Sequence, residues 1–466
     1  MDTFLIKAFQ LILSLSLLVV LHEGGHFLFS KLFKVRVEKF FLFFDPKFHL
    51  FSTKDKWFLR LFPRFRNRET EYGIGWLPFG GYVKISGMID ESMDTEQLKK
   101  PAQAWEFRSK PAWQRLLIMT GGVLVNFFLA LFIYSAILFT WGEEYIPMKR
   151  MTMGFNFNEA AHAIGFQDGD ILMEADGVAF QRFDGTVFRT ISEAQTVTVK
   201  RQARYVNITM PEDMDMLAML RQVPPFLAPR VPSVVDSVLV GMPAYEAGLR
   251  SGCKINAVDG VKVYYWDQFD NLMSRKADQL AAGCSREDSL RLRTMRVVYT
   301  PAGHMPSDTV DVLLTADYQL GIMKRSLLHY YKPIRVNYTL AESIPAGVRH
   351  GLDVLGGYVS DLKYIFTSEG VKSVGSFATI GSIFPATWDW QSFWEITAFL
   401  SIMLAFMNIL PIPALDGGHV LFLLAEIIMR RPPSDKFLER AQMVGMTLLI
   451  CLMLLACYND IVRFLF

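Results

Sequence analysis

The chain has 466 residues, enough for roughly three domains, and its hydrophobic share of 51% stands against a charged share of only 20%. That balance excludes a disordered chain and an ordinary soluble enzyme. A formal charge of +2, from 48 basic and 46 acidic residues, offers no global field for nucleic acid, and four cysteines are too few for a disulfide scaffold.

The first apolar run, from about Ala8 to Ser30, is long enough to cross a hydrocarbon core. It lacks a basic leader and a small-residue cleavage site, so we expect it to be retained rather than cleaved as a signal peptide. It carries His22-Glu23-Gly24-Gly25-His26. In a helix, positions i and i+4 share one face, so the two imidazoles can hold one zinc, with Glu23 beside it to take a proton from water. The bland alternative is a solvated polar cluster at a helix end. Metal-binding side chains within a span are expensive, however, and are functional by default. Phe27, Leu28 and Phe29 follow directly, which puts the motif inside the membrane and makes a membrane-embedded substrate the expectation.

Between Lys31 and Arg68 stand eleven Lys or Arg residues against Glu38, Asp45 and Asp55. By the positive-inside rule this segment is cytosolic. Tyr72-Gly73-Ile74-Gly75-Trp76-Leu77-Pro78-Phe79-Gly80-Gly81-Tyr82-Val83-Lys84 mixes glycine turns with aromatic and β-branched residues and predicts a short β-hairpin. The second span runs from about Leu116 to Trp141, preceded by Lys110 and Arg115 and followed by Glu143 and Glu144. Both termini and the long stretch from about 143 to 390 are therefore expected outside.

That stretch contains a repeat at an offset of about 83 residues. Ala161-His162-Ala163-Ile164-Gly165-Phe166-Gln167-Asp168-Gly169-Asp170-Ile171-Leu172 leads to Asp176-Gly177, and Pro243-Ala244-Tyr245-Glu246-Ala247-Gly248-Leu249-Arg250-Ser251-Gly252-Cys253-Lys254-Ile255 leads to Asp259-Gly260. Each copy predicts a short helix, a glycine turn, a strand and a hairpin turn at Asp-Gly. The pattern resembles tandem PDZ domains of the bacterial protease type, over 150–225 and 226–325. The second copy departs from it, with Cys253 where the first has Asp170. Such domains would bind peptide C-termini by strand addition or act as a size filter, which we favour. Cys253 and Cys284 could pair, although spacing does not decide it. Residues 335–392 are glycine-rich and too polar to span, and predict amphipathic helices near the outer surface.

The third span, about Phe393 to Ala414, ends in Asn408-Ile409-Leu410-Pro411-Ile412-Pro413-Ala414-Leu415-Asp416-Gly417-Gly418-His419. Its prolines and glycines demand irregular backbone, which in a membrane must line a polar cavity. A hydrolytic zinc needs a third protein ligand and an open position, and Asp416 could supply the ligand. Asp416 as a helix-end residue in headgroup water is the alternative. Arg430, Arg431, Lys436 and Arg440 then precede the fourth span, about Met443 to Phe464, where Cys451 and Cys457 are expected to be packing residues.

Together HEGGH and NILPIPALDGG resemble the site-2 protease family of intramembrane zinc metalloproteases, most closely its bacterial regulator-of-sigma-E branch. The likeness covers nearly the whole chain. It implies Zn2+ held by His22, His26 and Asp416, with Glu23 as general base and acid. It further implies that Asn408 and the β-loop glycines Gly73, Gly75, Gly80 and Gly81 serve substrate binding on a re-entrant loop, with 335–392 forming part of a gate. His419 is not a ligand in the family and is expected near the site or in the core.

The expectation is thus a multi-pass α-helical membrane protein of four transmembrane helices. A cytosolic or re-entrant β-hairpin loop and two inserted α/β PDZ-like domains complete it. Residues 1–142 and 393–466 make the two halves of the membrane core. The implied activity is that of a zinc metalloendopeptidase in the inner membrane. It would cut single-span substrates already trimmed by another protease, such as anti-sigma factors and remnant signal peptides, in envelope stress signalling. A transporter using the same three ligands, or an inactive PDZ scaffold, are the rivals. Four spans without inverted symmetry oppose the first, and the complete set of motif residues opposes the second.

Overall fold

The computed structural model describes residues 2–88, 101–212, 214–281, 286–303 and 306–465. The chain divides into two compact units, residues 1–143 with 337–466, and residues 144–336.

Among its described residues, the first unit has four helices long and apolar enough to cross a membrane. The first, α1 (Asp2–Leu32), has no proline or charge between Gln10 and Leu21 to interrupt it. The second, α2 (Ala112–Trp141), begins after Pro111, which cannot extend a helix backwards. It ends at Gly142, whose left-handed φ of 71° suits a residue without Cβ. After the second unit come α3 (Leu340–Asp361), α4 (Ser368–Ser373) and α5 (Phe377–Ile383). Then follow α6 (Trp390–Ile409), α7 (Asp416–Met429) and α8 (Asp435–Leu465). Thr339 and Glu342 close a reciprocal capping box at the start of α3, and Asp389 caps α6 through the amide of Ser392.

Helix α2 is the hub, touching α1, α3, α6 and α7. Lipid gives helices no hydrophobic reason to associate, so close packing falls to small residues. Gly25 of α1 and Gly121 of α2 meet backbone to backbone, and a Cβ on either would collide with the other's carbonyl group. Gly347 and Gly351 of α3 sit in the same way against Ser135 and Leu131 of α2.

Between α1 and α2 the chain forms two long, bent strands, β1 (Val37–Ser52) and β2 (Glu71–Ile85). The predicted hairpin 72–84 is therefore one member of a larger sheet. Phe40, Phe41 and Leu42 each pair twice, with Val83, Tyr82 and Gly81 on one side and with Tyr72, Gly73 and Ile74 on the other. The Gly81–Ile85 limb consequently runs along an edge of the sheet.

In the second unit two four-stranded sheets share one topology. The first orders its strands Val178–Ala179, Ile171–Ala175, Thr196–Arg201, Arg204–Thr209, and the second Val261–Lys262, Lys254–Val258, Thr294–Thr300, Asp308–Leu313. The departure at Cys253 has a physical account. Asp170 is buried and accepts two hydrogen bonds from Arg201, at 2.8 and 2.7 Å. By strand register the second copy has Pro301 where the first has Arg201. A buried carboxylate without its guanidinium would be costly, so a neutral thiol replaces it. Among the described residues Cys253 has no disulfide partner; it is buried, and burial pushes its thiol up from the ordinary range. Cys284 lies outside the described residues. Cys451 and Cys457 are exposed on α8, not packed as expected. On a helix apolar enough to lie in lipid, a small apolar side chain would gain nothing by turning inward.

Candidate metal centre

His22, Glu23 and His26 lie in the last third of α1, and Asp416 opens α7. The turn between α6 and α7 brings Asp416 back towards His22 and His26. Pro411 and Pro413 end α6, and Ala414 takes a positive φ of 79°. Gly417 and Gly418 then lie against the carbonyls of Ile409 and Ile412, where any Cβ would clash. Gln442 of α8 accepts the amide of Ala414 at 3.2 Å and steadies the turn. Helix α7 was not foreseen, since the proline and glycine run reads only as a break.

Three atoms able to ligate a metal converge. His22 Nε2 lies 3.3 Å from His26 Nε2, and each is 3.2 Å from Asp416 Oδ2. That oxygen is buried yet makes no well-formed hydrogen bond. A tetrahedral zinc with bonds of about 2.0–2.1 Å keeps its ligand atoms about 3.3 Å apart. The triangle therefore has the size that a zinc ion requires, and among the described residues this is the one group with such a donor set.

Helix α2 shapes the site from behind. Gly122 faces both imidazoles, and a Cβ there would lie 2.6 Å from His26 Nε2 and 2.7 Å from His22 Cε1. His26 Nδ1 is 2.8 Å from the carbonyl oxygen of Ile118, so it carries the proton and leaves Nε2 free to coordinate. Asn126, fully buried, places its amide 3.3 Å from His22 Nδ1, and Asn408 on α6 places its own 3.3 Å from His22 Nε2. Asn126 was missed in the sequence. A lone amide in the middle of an apolar span is the signal that could have found it.

A cavity of about 590 Å³ opens beside the triangle, lined among others by Glu23, Asn408, His419 and the limb Gly80–Ile85. The Val83 backbone faces the Glu23 carboxylate across this cavity. Gly80 and Gly81 thus stand at the site, whereas Gly73 and Gly75 do not line it. Both sit inside the sheet, where Cβ atoms would strike the ring of Phe41 and the backbone of Phe44. At these two positions the missing side chains allow the strands of the sheet to pack closely.

The model of Peptidase family M50 matches residues 10–452. The chain belongs to peptidase family M50. It is similar to the regulator of sigma-E protease RseP of Escherichia coli, 27% identical over 99% of this chain and 100% of the relative. Metalloprotease MmpA of Caulobacter vibrioides is 25% identical over 99% of this chain and 96% of the relative. A Vibrio cholerae relative bearing a zinc metalloprotease name is 26% identical over 97% of both. The M50 cofactor is zinc, in keeping with the donor set and the spacing of the triangle.

Proposed function

We propose that this M50 peptidase hydrolyses a peptide bond within or near the transmembrane segment of single-span proteins. The observation that carries this reading is the triangle of His22, His26 and Asp416, with both histidines buried on a helix apolar enough to cross a membrane, beside a carboxylate and a strand edge. In it His22, His26 and Asp416 would hold the metal, which would supply a Lewis acid for the scissile carbonyl and for the attacking water.

Glu23, in the cavity next to the triangle, takes the proton from that water and delivers it to the leaving amine. Asn408 orients the substrate carbonyl from the α6 side. A substrate helix has its backbone groups already paired, so it must unwind and find new partners before it can be cut. The Gly81–Ile85 limb offers them by strand addition, and the incoming strand takes the Val83 N–H from Glu23. This exchange frees the carboxylate only when substrate is in place.

The basic flanks support an orientation with the HExxH end cytosolic and both termini and residues 144–336 outside, in an inner membrane. The repeated sheets of the second unit act as PDZ-like modules that exclude substrates with large outer domains. Substrates are therefore proteins already shortened outside by another protease, of the anti-sigma factor or remnant signal peptide type. The similarity to relatives named for sigma-E regulation supports a role in envelope stress signalling.

The test is cleavage, by the purified protein in detergent, of two single-span reporters that differ only in ectodomain size. Mass spectrometry of the products locates the cut. A cut inside the span of the short reporter alone is expected. A cut only in soluble, extramembrane sequence would refute the reading.

A further inference from the structure

We infer that Asn126 is a positioning residue that fixes the tautomer of His22 and thereby the affinity of the metal site. The inference rests on the ligand assignment proposed above. The three atoms of the triangle include Nε2 of both histidines, so each ring must carry its proton on Nδ1 to leave Nε2 free.

For His26 the partner of that proton is plain. The Ile118 carbonyl, 2.8 Å away, can only accept. Among the described residues no carbonyl is placed against His22 Nδ1 in the same way. The group facing its Nδ1, at 3.3 Å, is the Asn126 side-chain amide, contributed by the same helix α2.

An amide can present either end. With its NH2 group towards His22, as placed, Asn126 donates to Nδ1, the ring proton sits on Nε2, and the ring cannot coordinate. In that arrangement the Asn126 oxygen is itself buried without a partner. A half-turn of the amide places the oxygen at Nδ1 as an acceptor, moves the ring proton there and turns Nε2 into a ligand.

The two amide orientations thus correspond to a ring that refuses metal and one that accepts it, and metal binding selects the second. Little else competes for this role, because the Asn126 side chain is sealed from solvent. The nearby Ser401 hydroxyl is engaged with the Asn126 main-chain carbonyl, at 2.7 Å.

Outer partners of metal-binding histidines typically change affinity by about 10- to 100-fold when removed. The inference is tested by zinc affinity of the purified full chain, measured by competition with a chromophoric chelator, with the thermal midpoint of the zinc-free protein recorded alongside. Asn126→Leu, close in size but without an acceptor, should bind zinc about 10- to 100-fold more weakly at an unchanged zinc-free midpoint. Asn126→Asp, which keeps an oxygen at Nδ1, should bind within a few-fold of the parent or more tightly.

Parent-like affinity in Asn126→Leu would overturn the inference. So would equal weakening in both variants, since that would mark a packing role. His26→Ala, measured in parallel, separates the two levels of the argument. If it too retains parent affinity, the ligand assignment itself fails, whatever Asn126 does.

Discussion

Gly122→Ala is the sharpest probe of how α2 holds the site. The added methyl would lie 2.6 Å from His26 Nε2 and 2.7 and 2.8 Å from Cε1 and Nδ1 of His22. Ordinary contact begins near 3.5 Å, so the rings would have to retreat by about 0.9 Å. Neither can do so freely. His26 is tied to Ile118 of the same helix, and the helices already touch at Gly25 and Gly121.

Overpacking of this kind costs about 1–3 kcal/mol. Borne by the ligands, that corresponds to roughly 5- to 150-fold weaker zinc binding. A displacement of about 1 Å would also cost on the order of 100-fold in cleavage even at saturating zinc. Chelator competition gives the first quantity and reporter cleavage under excess zinc gives the second. Gly24→Ala is the control, since nothing lies within 4 Å of a Cβ at that position, and it should bind zinc as the parent does. Parent-like zinc affinity and cleavage in Gly122→Ala would refute the geometry of the site.

Two further outcomes follow from the same structure. Val83→Pro removes one outward N–H from a sheet edge, where proline is tolerated. It should lower kcat/KM by up to about tenfold, the worth of one hydrogen bond, while zinc content stays unchanged. Unchanged cleavage would remove the strand-addition step. At the far end of α8, Asp460 accepts the Ser376 amide at 3.0 Å, the Ser376 hydroxyl at 2.6 Å and the Thr379 amide at 3.1 Å, and it also binds the Thr379 hydroxyl. Asn459 adds bonds to the carbonyls of Val371 and Val374. Asp460→Ala strips charged bonds worth about 1.5–3 kcal/mol each, so amide exchange over residues 371–379 should quicken by at least tenfold while the metal site keeps its zinc. Unaltered exchange there would show that α8 does not hold this segment.

The candidate metal site was legible in the sequence wherever chemistry fixes both residue type and spacing. HEGGH announces itself because i and i+4 imidazoles around a glutamate have few other uses, and Asp416 because a carboxylate at the end of an apolar span needs a cation. The positions that support them were not legible. Gly122 and Asn126 contribute through contacts from another helix, which no local pattern in α2 displays. Strand β1 was hidden because Phe40, Phe41, Phe43 and Phe44 give a run without the alternation of a half-buried strand. Helix α7 was hidden because, at 14 residues, its apolar run is too short to read as a span and follows two prolines. Of the β-loop glycines, Gly80 and Gly81 line the cavity, while Gly73 and Gly75 lie against Phe41 and Phe44 within the sheet, a packing that the loop's composition does not display.

The central claim, that Glu23 performs the proton transfer at a zinc held by His22, His26 and Asp416, is tested most directly by Glu23→Gln. Zinc content and cleavage of a short-ectodomain, single-span reporter are measured on the same purified samples. The variant should retain about one zinc per chain and lose cleavage by at least a hundredfold, within the usual worth of a general base. Full cleavage by the zinc-loaded variant would contradict the account.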